Sequence, residues 1–354
     1  MKELHAAIQR GDLETFAALC RRALEARDEE TLEIALATIA RLPAGIADPL
    51  KREVRAAFPA LVAGLPSFLV GEVGGPMPPS TPLNALLLRA IDGDRDGALR
   101  AIADGGLPGT HGGEPLAQAI VRAVPTRAGA PRPLIVDRGE NLIVSEPGER
   151  GTFVVFTGLG ERVWLDLPVF DAWLAHAGYG GIYLRDPSRR LFTAGMPDHS
   201  GADAFAAFLA RTRAGESREL VYLGTSSGGF GAMYWACTVP PDRTLAFASA
   251  TSTTRERLEA IGDQRVLMLQ KLLMPEGGGP DLRERMLRSG FRGRVDLHYG
   301  ADARFDRLHG EYLDLANVFR HPLPGWSHHP MLQPLAASGR LPAILRGEDD
   351  AAAG

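Results

Sequence analysis

The stretch LVYLGTSSGGFGAMYWA (Leu220–Ala236) joins an apolar run to a helical pattern through two serines ringed by glycines. LVYL reads as a buried strand and GFGAMYWACTV as a helix. Between them Gly224-Thr225-Ser226-Ser227-Gly228 fits G-x-S-x-G, with Gly229 following. A serine at such a strand-to-helix turn is held in strained geometry, with its hydroxyl presented at the sheet edge. Glycines suit the turn because strand and helix come too close for side chains. The helix N-terminus adds N–H groups and a positive dipole end for a developing oxyanion. A tight turn that uses Gly and Ser only as turn formers fits the same letters. The rest of the chain decides between the two.

Around this stretch short apolar runs recur: NLIVSE from Asn141, TFVVFTG from Thr152, GGIYLRD from Gly180, ELVYLGT from Glu219, TLAFASAT from Thr244, RVDLHYG from Arg294 and NVFRHPL from Asn317. Helical patterns such as DLPVFDAWLAHAG and GADAFAAFLARTRAG separate most of them. Buried strands alternating with helices predict an α/β domain, a mostly parallel sheet with helices on both faces, over residues 134–345. The longest interval between strands, Thr251 to Gly293, has room for an insertion over the strand ends.

A serine hydroxyl is a poor nucleophile until a base takes its proton, and an acid must orient that base. In the strand–turn–helix layout the chain order is serine, acid, histidine. Asp302 and Asp306 follow VDLHYG, and His328 and His329 follow NVFRHPLPGW. Either aspartate equally fits a loop or helix-capping role, and the histidine pair equally fits a surface turn. His298 and His321 lie within strand runs, and His309 fits a helix surface. Adjacent histidines point apart and no H-x-x-x-H or C-x-x-C spacing accompanies them, so neither a metal nor another cofactor is expected.

Further parts follow the first strands. Gly158 and Leu159, in FTGLGERVW, stand where a second oxyanion N–H is expected beside that of Ser227. Arg185 and Asp186 end a strand whose carboxyl edge faces the crevice of such sheets. They are candidates for binding polar groups of a substrate, or for pinning their own loop.

Residues 1–125 read as helical. DLETFAALCRRAL and ETLEIALATIARL carry apolar residues at helical spacing, and the Pro-Leu pairs at Pro82 and Pro115 are 33 residues apart, the ankyrin period. PTRAGAPRPL (Pro125–Leu134) reads as a linker. The composition, 45% hydrophobic and 23% charged over 354 residues, is that of a globular chain. A net charge of −4 gives no reason to expect nucleic acid or an anionic membrane as partner. Basic residues are nearly all arginine, with lysine only at Lys2, Lys51 and Lys271. Cys20 and Cys237 lie far apart on helical segments, which suggests reduced thiols and, with no signal core or membrane-length run, a cytoplasmic protein.

Taken in order, YLRD, GTSSGG, AFAS, YG…D..H…L and a final H before L…G.L resemble bacterial α/β-hydrolase-fold proteins found alongside sugar-transfer and surface-polysaccharide genes. Several of those also carry a helical-repeat region. The resemblance covers roughly residues 135–345 and implies Ser226 as nucleophile, Asp306 as acid and His329 as base. A generic hydrolase reading favours Asp302 and His328 instead. The activity implied is a serine esterase acting on a small acyl ester or an acylated sugar. An acyltransferase using the same triad is the alternative. A non-catalytic module recruited to a protein partner through its N-terminal helices is a third reading.

Overall fold

The computed structural model describes Ala18 and residues 82–105, 113–126, 134–136, 141–158, 162–186, 190–263 and 279–348. Ala18 apart, these belong to one compact unit that begins at Ser80. Apart from Ala18, the expected helices before residue 43 lie outside the described residues, as do Cys20, residues 349–354 and any repeat unit before Pro82.

Three helices open the unit: α1 (Pro82–Ile91), α2 (Arg95–Gly105) and α3 (Gly113–Ala123). The two Pro-Leu pairs stand at or near the starts of α1 and α3. Strands β1 (Leu134–Val136), β2 (Leu142–Ser145) and β3 (Gly151–Phe156) lead to α4 (Leu167–His176) and β4 (Tyr179–Leu184). A small hairpin, β5 (Gly195–Met196) and β6 (His199–Ser200), precedes α5 (Ala202–Gly215), β7 (Glu219–Thr225), α6 (Ser227–Ala236) and β8 (Arg243–Phe247). Then come α7 (Arg255–Ile261), α8 (Leu282–Ser289), β9 (Arg294–Gly300), α9 (Arg304–Tyr312), β10 (Val318–Leu323), α10 (Leu332–Ala337) and α11 (Leu341–Arg346). The long interval after Thr251 therefore holds α7 and α8, with residues 264–278 outside the described set.

The sheet runs β1-β2-β4-β3-β7-β8-β9-β10. β2 is antiparallel to both neighbours, and every pair from β4 to β10 is parallel. This is the mostly parallel sheet the apolar runs predict. β1 was not legible as a strand, since three residues between a proline-rich segment and a glycine carry no period.

The order fixes where the helices go. The crossover from β3 through α4 to β4 moves one way across the sheet, and that from β7 through α6 to β8 moves the other. Right-handed crossovers in opposite directions place α4 and α6 on opposite faces. The side chains agree: Tyr183 on β4 donates to Asp171 of α4, whereas Val154, Phe156, Leu220 and Tyr222 pack with Phe230 and Trp235 of α6. With both faces covered, β3 and β7 are apolar at nearly every position, not at alternate ones. α1 docks against α4, where Asn84 Oδ1 accepts from the N–H of Asp166 at the helix start (3.1 Å). α3 packs on α10.

At the other end of the sheet Phe247, His298 and His321 stand in register on β8, β9 and β10. Their rings form one stack, with centroids 4.9 and 4.4 Å apart and planes within 15°. Asp296, two residues before His298, accepts from His321 and from the Arg294 guanidinium, whose two bonds are 2.8 Å each. Burial would raise the Asp296 carboxyl, but the His321 and Arg294 hydrogen bonds outweigh it and hold the group down to about 2. His298 is fully enclosed, and that burial, followed by repulsion from His321, pushes its imidazole down to about 3.

A depressed histidine makes the unfolded chain the better proton acceptor between its ordinary value, near 6.5, and about 3. Stability from the neutral His298 is therefore complete above about pH 6.5 and falls by up to about 1.4 kcal/mol for each unit below it. Urea unfolding between pH 7.5 and 4.5 should show this loss in the wild type and a shallower one in His298→Phe.

Candidate active site

β3 and β7 are the strands at which the order reverses, and the crevice at their carboxyl ends is where such sheets bind ligands. Phe156 pairs with Gly224 in register, so the loop after β3 and the turn after β7 leave the sheet side by side. Ser226 occupies that turn with φ 54° and ψ −120°, a left-handed backbone that costs a non-glycine residue about 1–3 kcal/mol. It is held from both sides. Its N–H donates to the Phe247 carbonyl (2.9 Å), and its carbonyl accepts from Gly229 (3.1 Å) and Phe230 (3.3 Å).

The glycines are steric requirements. A Cβ on Gly224 would strike the Gly228 carbonyl, and one on Gly228 would strike the carbonyls of Phe156 and Thr157. One on Gly229 would press on the Ser249 side chain at 2.8 Å. Ser227 is buried as the first residue of α6, where an N–H has no acceptor within the helix.

His329 reaches the same point from the turn after β10. Its Nε2 lies 2.9 Å from Ser226 Oγ, and its Nδ1 lies 2.9 Å from Asp306 Oδ2. A carboxylate beside Nδ1 holds the ring proton there, which leaves Nε2 to accept from the serine hydroxyl. The Asp306 side chain is 3% exposed and sits in the first turn of α9, where the helix dipole favours a negative charge. The His329 side chain is 33% exposed, and Ser226 is half-buried.

Thus Ser226, His329 and Asp306 are brought into one hydrogen-bonded line, and the alternates are directed elsewhere. Asp302 is exposed in the loop before α9, with its N–H on the Trp326 carbonyl (3.1 Å). His328 is exposed, its ring edge-on to Trp326 at 5.2 Å. The Gly158 N–H is engaged inside its own turn, donating to the Arg162 carbonyl (2.8 Å), so that amide does not face the serine as a donor. Leu159 lies outside the described residues.

Arg185 and Asp186 are both buried. Asp186 accepts from the Phe192 N–H (2.8 Å), and the Phe192 carbonyl accepts from Trp235 of α6 (2.8 Å). The carboxylate pins a loop onto the helix that follows the serine, the second of its two sequence readings.

Two further residues escaped the sequence reading. Trp164, in the loop after β3, stands edge-on to His329 at 5.1 Å, with its carbonyl held by Gln333 (3.3 Å). Nothing in its spacing marks it. His309 is not on a helix surface as expected but only 2% exposed. Its position three residues beyond Asp306 was the available signal, because residues three apart share a helix face.

No family model matches the chain, and none of the curated proteins is similar to it in sequence. Among solved structures, an esterase from Pyrococcus furiosus is similar at 14% identity and a TM-score of 0.38, over 58% of this chain and 84% of that one. Carboxyl esterase 2 from the mycorrhizal fungus Tuber melanosporum is similar at 10% identity and 0.43, over 64% and 88%. The capsule O-acetyltransferase of Neisseria meningitidis serogroup A is similar at 11% identity and 0.42, over 61% and 94%. These likenesses are weak, and the strand order and the serine turn carry the fold without them.

The turn's crowding makes one methyl group informative. Gly228→Ala should cost at least about 1–3 kcal/mol in urea unfolding. Gly215→Ala adds the same methyl group at a position with open space around it. It should be neutral, or stabilising by up to about 1 kcal/mol.

Proposed function

We propose that the chain is a serine esterase of the α/β-hydrolase fold, acting on a small acyl ester or acylated sugar through Ser226, His329 and Asp306. The observation that supports this most is the line from Asp306 through both imidazole nitrogens to Ser226 Oγ, with 2.9 Å at each link. That line ends on a serine held at positive φ.

In the proposed reaction Ser226 Oγ attacks the ester carbonyl carbon while His329 Nε2 takes the hydroxyl proton. Asp306 holds the imidazole in the required tautomer and stabilises the imidazolium. The negative oxygen of the tetrahedral adduct meets the Ser227 N–H and the dipole end of α6, and we assign the second donor to Leu159. Collapse of the adduct breaks the carbonyl–alkoxy bond, and His329 returns its proton to the leaving alcohol. A water, deprotonated by the same nitrogen, then attacks the acyl-serine and releases the acid.

Fluorophosphonate labelling and hydrolysis of p-nitrophenyl acetate test the assignment. The wild type should label and Ser226→Ala should not. Ser226→Ala, His329→Gln and Asp306→Asn should each lower kcat by about 10³-fold or more. Asp302→Asn and His328→Gln should stay within about threefold of wild type, since neither group touches the line. A wild type that resists the reagent under conditions that label a control esterase defeats the proposal.

A further inference from the structure

A second buried cluster of titratable side chains lies on the helix that carries Asp306. His309 of α9 and Asp263, just beyond α7, are 2% and 0% exposed. His309 Nε2 faces Asp263 Oδ2 at 3.5 Å. From the loop after β8, the Thr251 N–H donates to His309 Nδ1 (3.2 Å), and the Thr251 hydroxyl donates to the His309 carbonyl (2.7 Å). A backbone N–H cannot act as an acceptor, so Nδ1 is the bare nitrogen and the ring proton stands on Nε2, toward the carboxylate. One tautomer fits, and one residue, Thr251, grips both the ring and the backbone of His309.

Other bonds hold the same side of α9. Arg257 of α7 donates to the Leu308 carbonyl (3.2 Å) and lies over the Tyr312 ring at 4.3 Å. The Tyr312 hydroxyl donates to Asp281 (2.9 Å). The loop that supplies Thr251 also supplies Ser249, which packs against Gly229 of α6. The helix of the nucleophile and the helix of the acid are therefore both located by the stretch 248–254.

We infer that His309 is a positioning residue: its clamp on Thr251, with Asp263 facing the ring, sets the rotation of α9, and with it the contact of Asp306 with His329. Its catalytic consequence rests on the serine-esterase reading, whereas the geometry itself does not depend on catalysis. His309 follows Asp306 by three residues, on one helix face and about 4.5 Å along the axis. Rotation of α9 would swing the carboxylate, and misplacement by about 1 Å is enough to cost on the order of 100-fold in rate.

The test reads His329 directly, by the NMR resonance of its Nδ1 proton in ¹⁵N-labelled protein, with His329→Gln to identify it. The groups facing that ring are Asp306 from α9, the Ser226 hydroxyl from the turn and the Trp164 ring; Asp302 and His328 beside them are exposed. An imidazole Nδ1–H that donates to a carboxylate resonates far downfield, and loosening Asp306 moves it upfield or broadens it by exchange with water. His309→Leu should move this resonance upfield or abolish it. It should also lower kcat for p-nitrophenyl acetate about 10- to 100-fold, with KM within about twofold. His309→Gln, whose amide oxygen can still accept from the Thr251 N–H, should keep both the resonance and kcat near wild type.

An unchanged His329 Nδ1–H resonance in His309→Leu overturns the inference, as does an equal change in the Leu and Gln variants. If the Leu variant does not fold, Thr251→Val removes only the hydroxyl contacts and should move the His329 Nδ1–H resonance in the same direction by less; no movement overturns the inference. Failure of the wild type to label with fluorophosphonate defeats the esterase reading alone, because the NMR comparison still decides on His309.

Discussion

Where β7 turns into α6, the polypeptide folds tightly on itself at Gly224, on the end of β3 at Gly228 and on the loop after β8 at Gly229, so that these three positions admit only hydrogen side chains. The close approach is what makes the left-handed Ser226 tolerable. Its amide and carbonyl are both hydrogen-bonded to neighbours that cannot shift, so the strain of positive φ is carried by the packing of a whole sheet and helix. Because the backbone is fixed, the hydroxyl has little freedom in where it points. The positions of His329 and Asp306 have meaning only relative to that fixed point.

The reversal of strand order supplies the rest of the geometry. Crossovers running in opposite directions from β3 and β7 open a crevice at their carboxyl ends and bury both faces of the central strands. Strands farther along contribute loops to the same edge: β8 gives the stretch with Ser249 and Thr251, β9 leads to α9, and β10 leads to His329. Each loop lies next to the one from the neighbouring strand, so a line of three polar groups forms from segments distant in sequence. The ring stack of Phe247, His298 and His321 crosses these same three strands and fixes their mutual register below the site.

Much of this was readable from the residues, and the failures have physical causes. The central strands announce themselves as continuous apolar runs because both faces are buried. The serine turn announces itself because only glycine tolerates the crowding. The order serine, aspartate, histidine narrows the acid and base to two candidates each, but separation within each pair needs geometry. Asp302 and Asp306 differ by a turn of backbone, and only the start of α9 at Arg304 puts the second on the inward face. Local sequence also cannot report long-range partners. The engagement of the Gly158 amide by Arg162, the use of Asp186 to pin Phe192, and the burial of His309 all depend on a segment elsewhere.

The hydrogen bond between Ser226 and His329 spans 103 residues of chain. A protein made from its N-terminus at about 5–20 residues per second presents the serine about 5–20 s before the histidine exists. During that interval the glycine turn can pack, since β3, β4 and β7 have already been made, but the hydroxyl has no base beside it. The proposed nucleophile thus gains its base late, when the last parallel strand joins the edge of the sheet. A nascent or C-terminally truncated chain would hold an inert serine on a nearly finished scaffold.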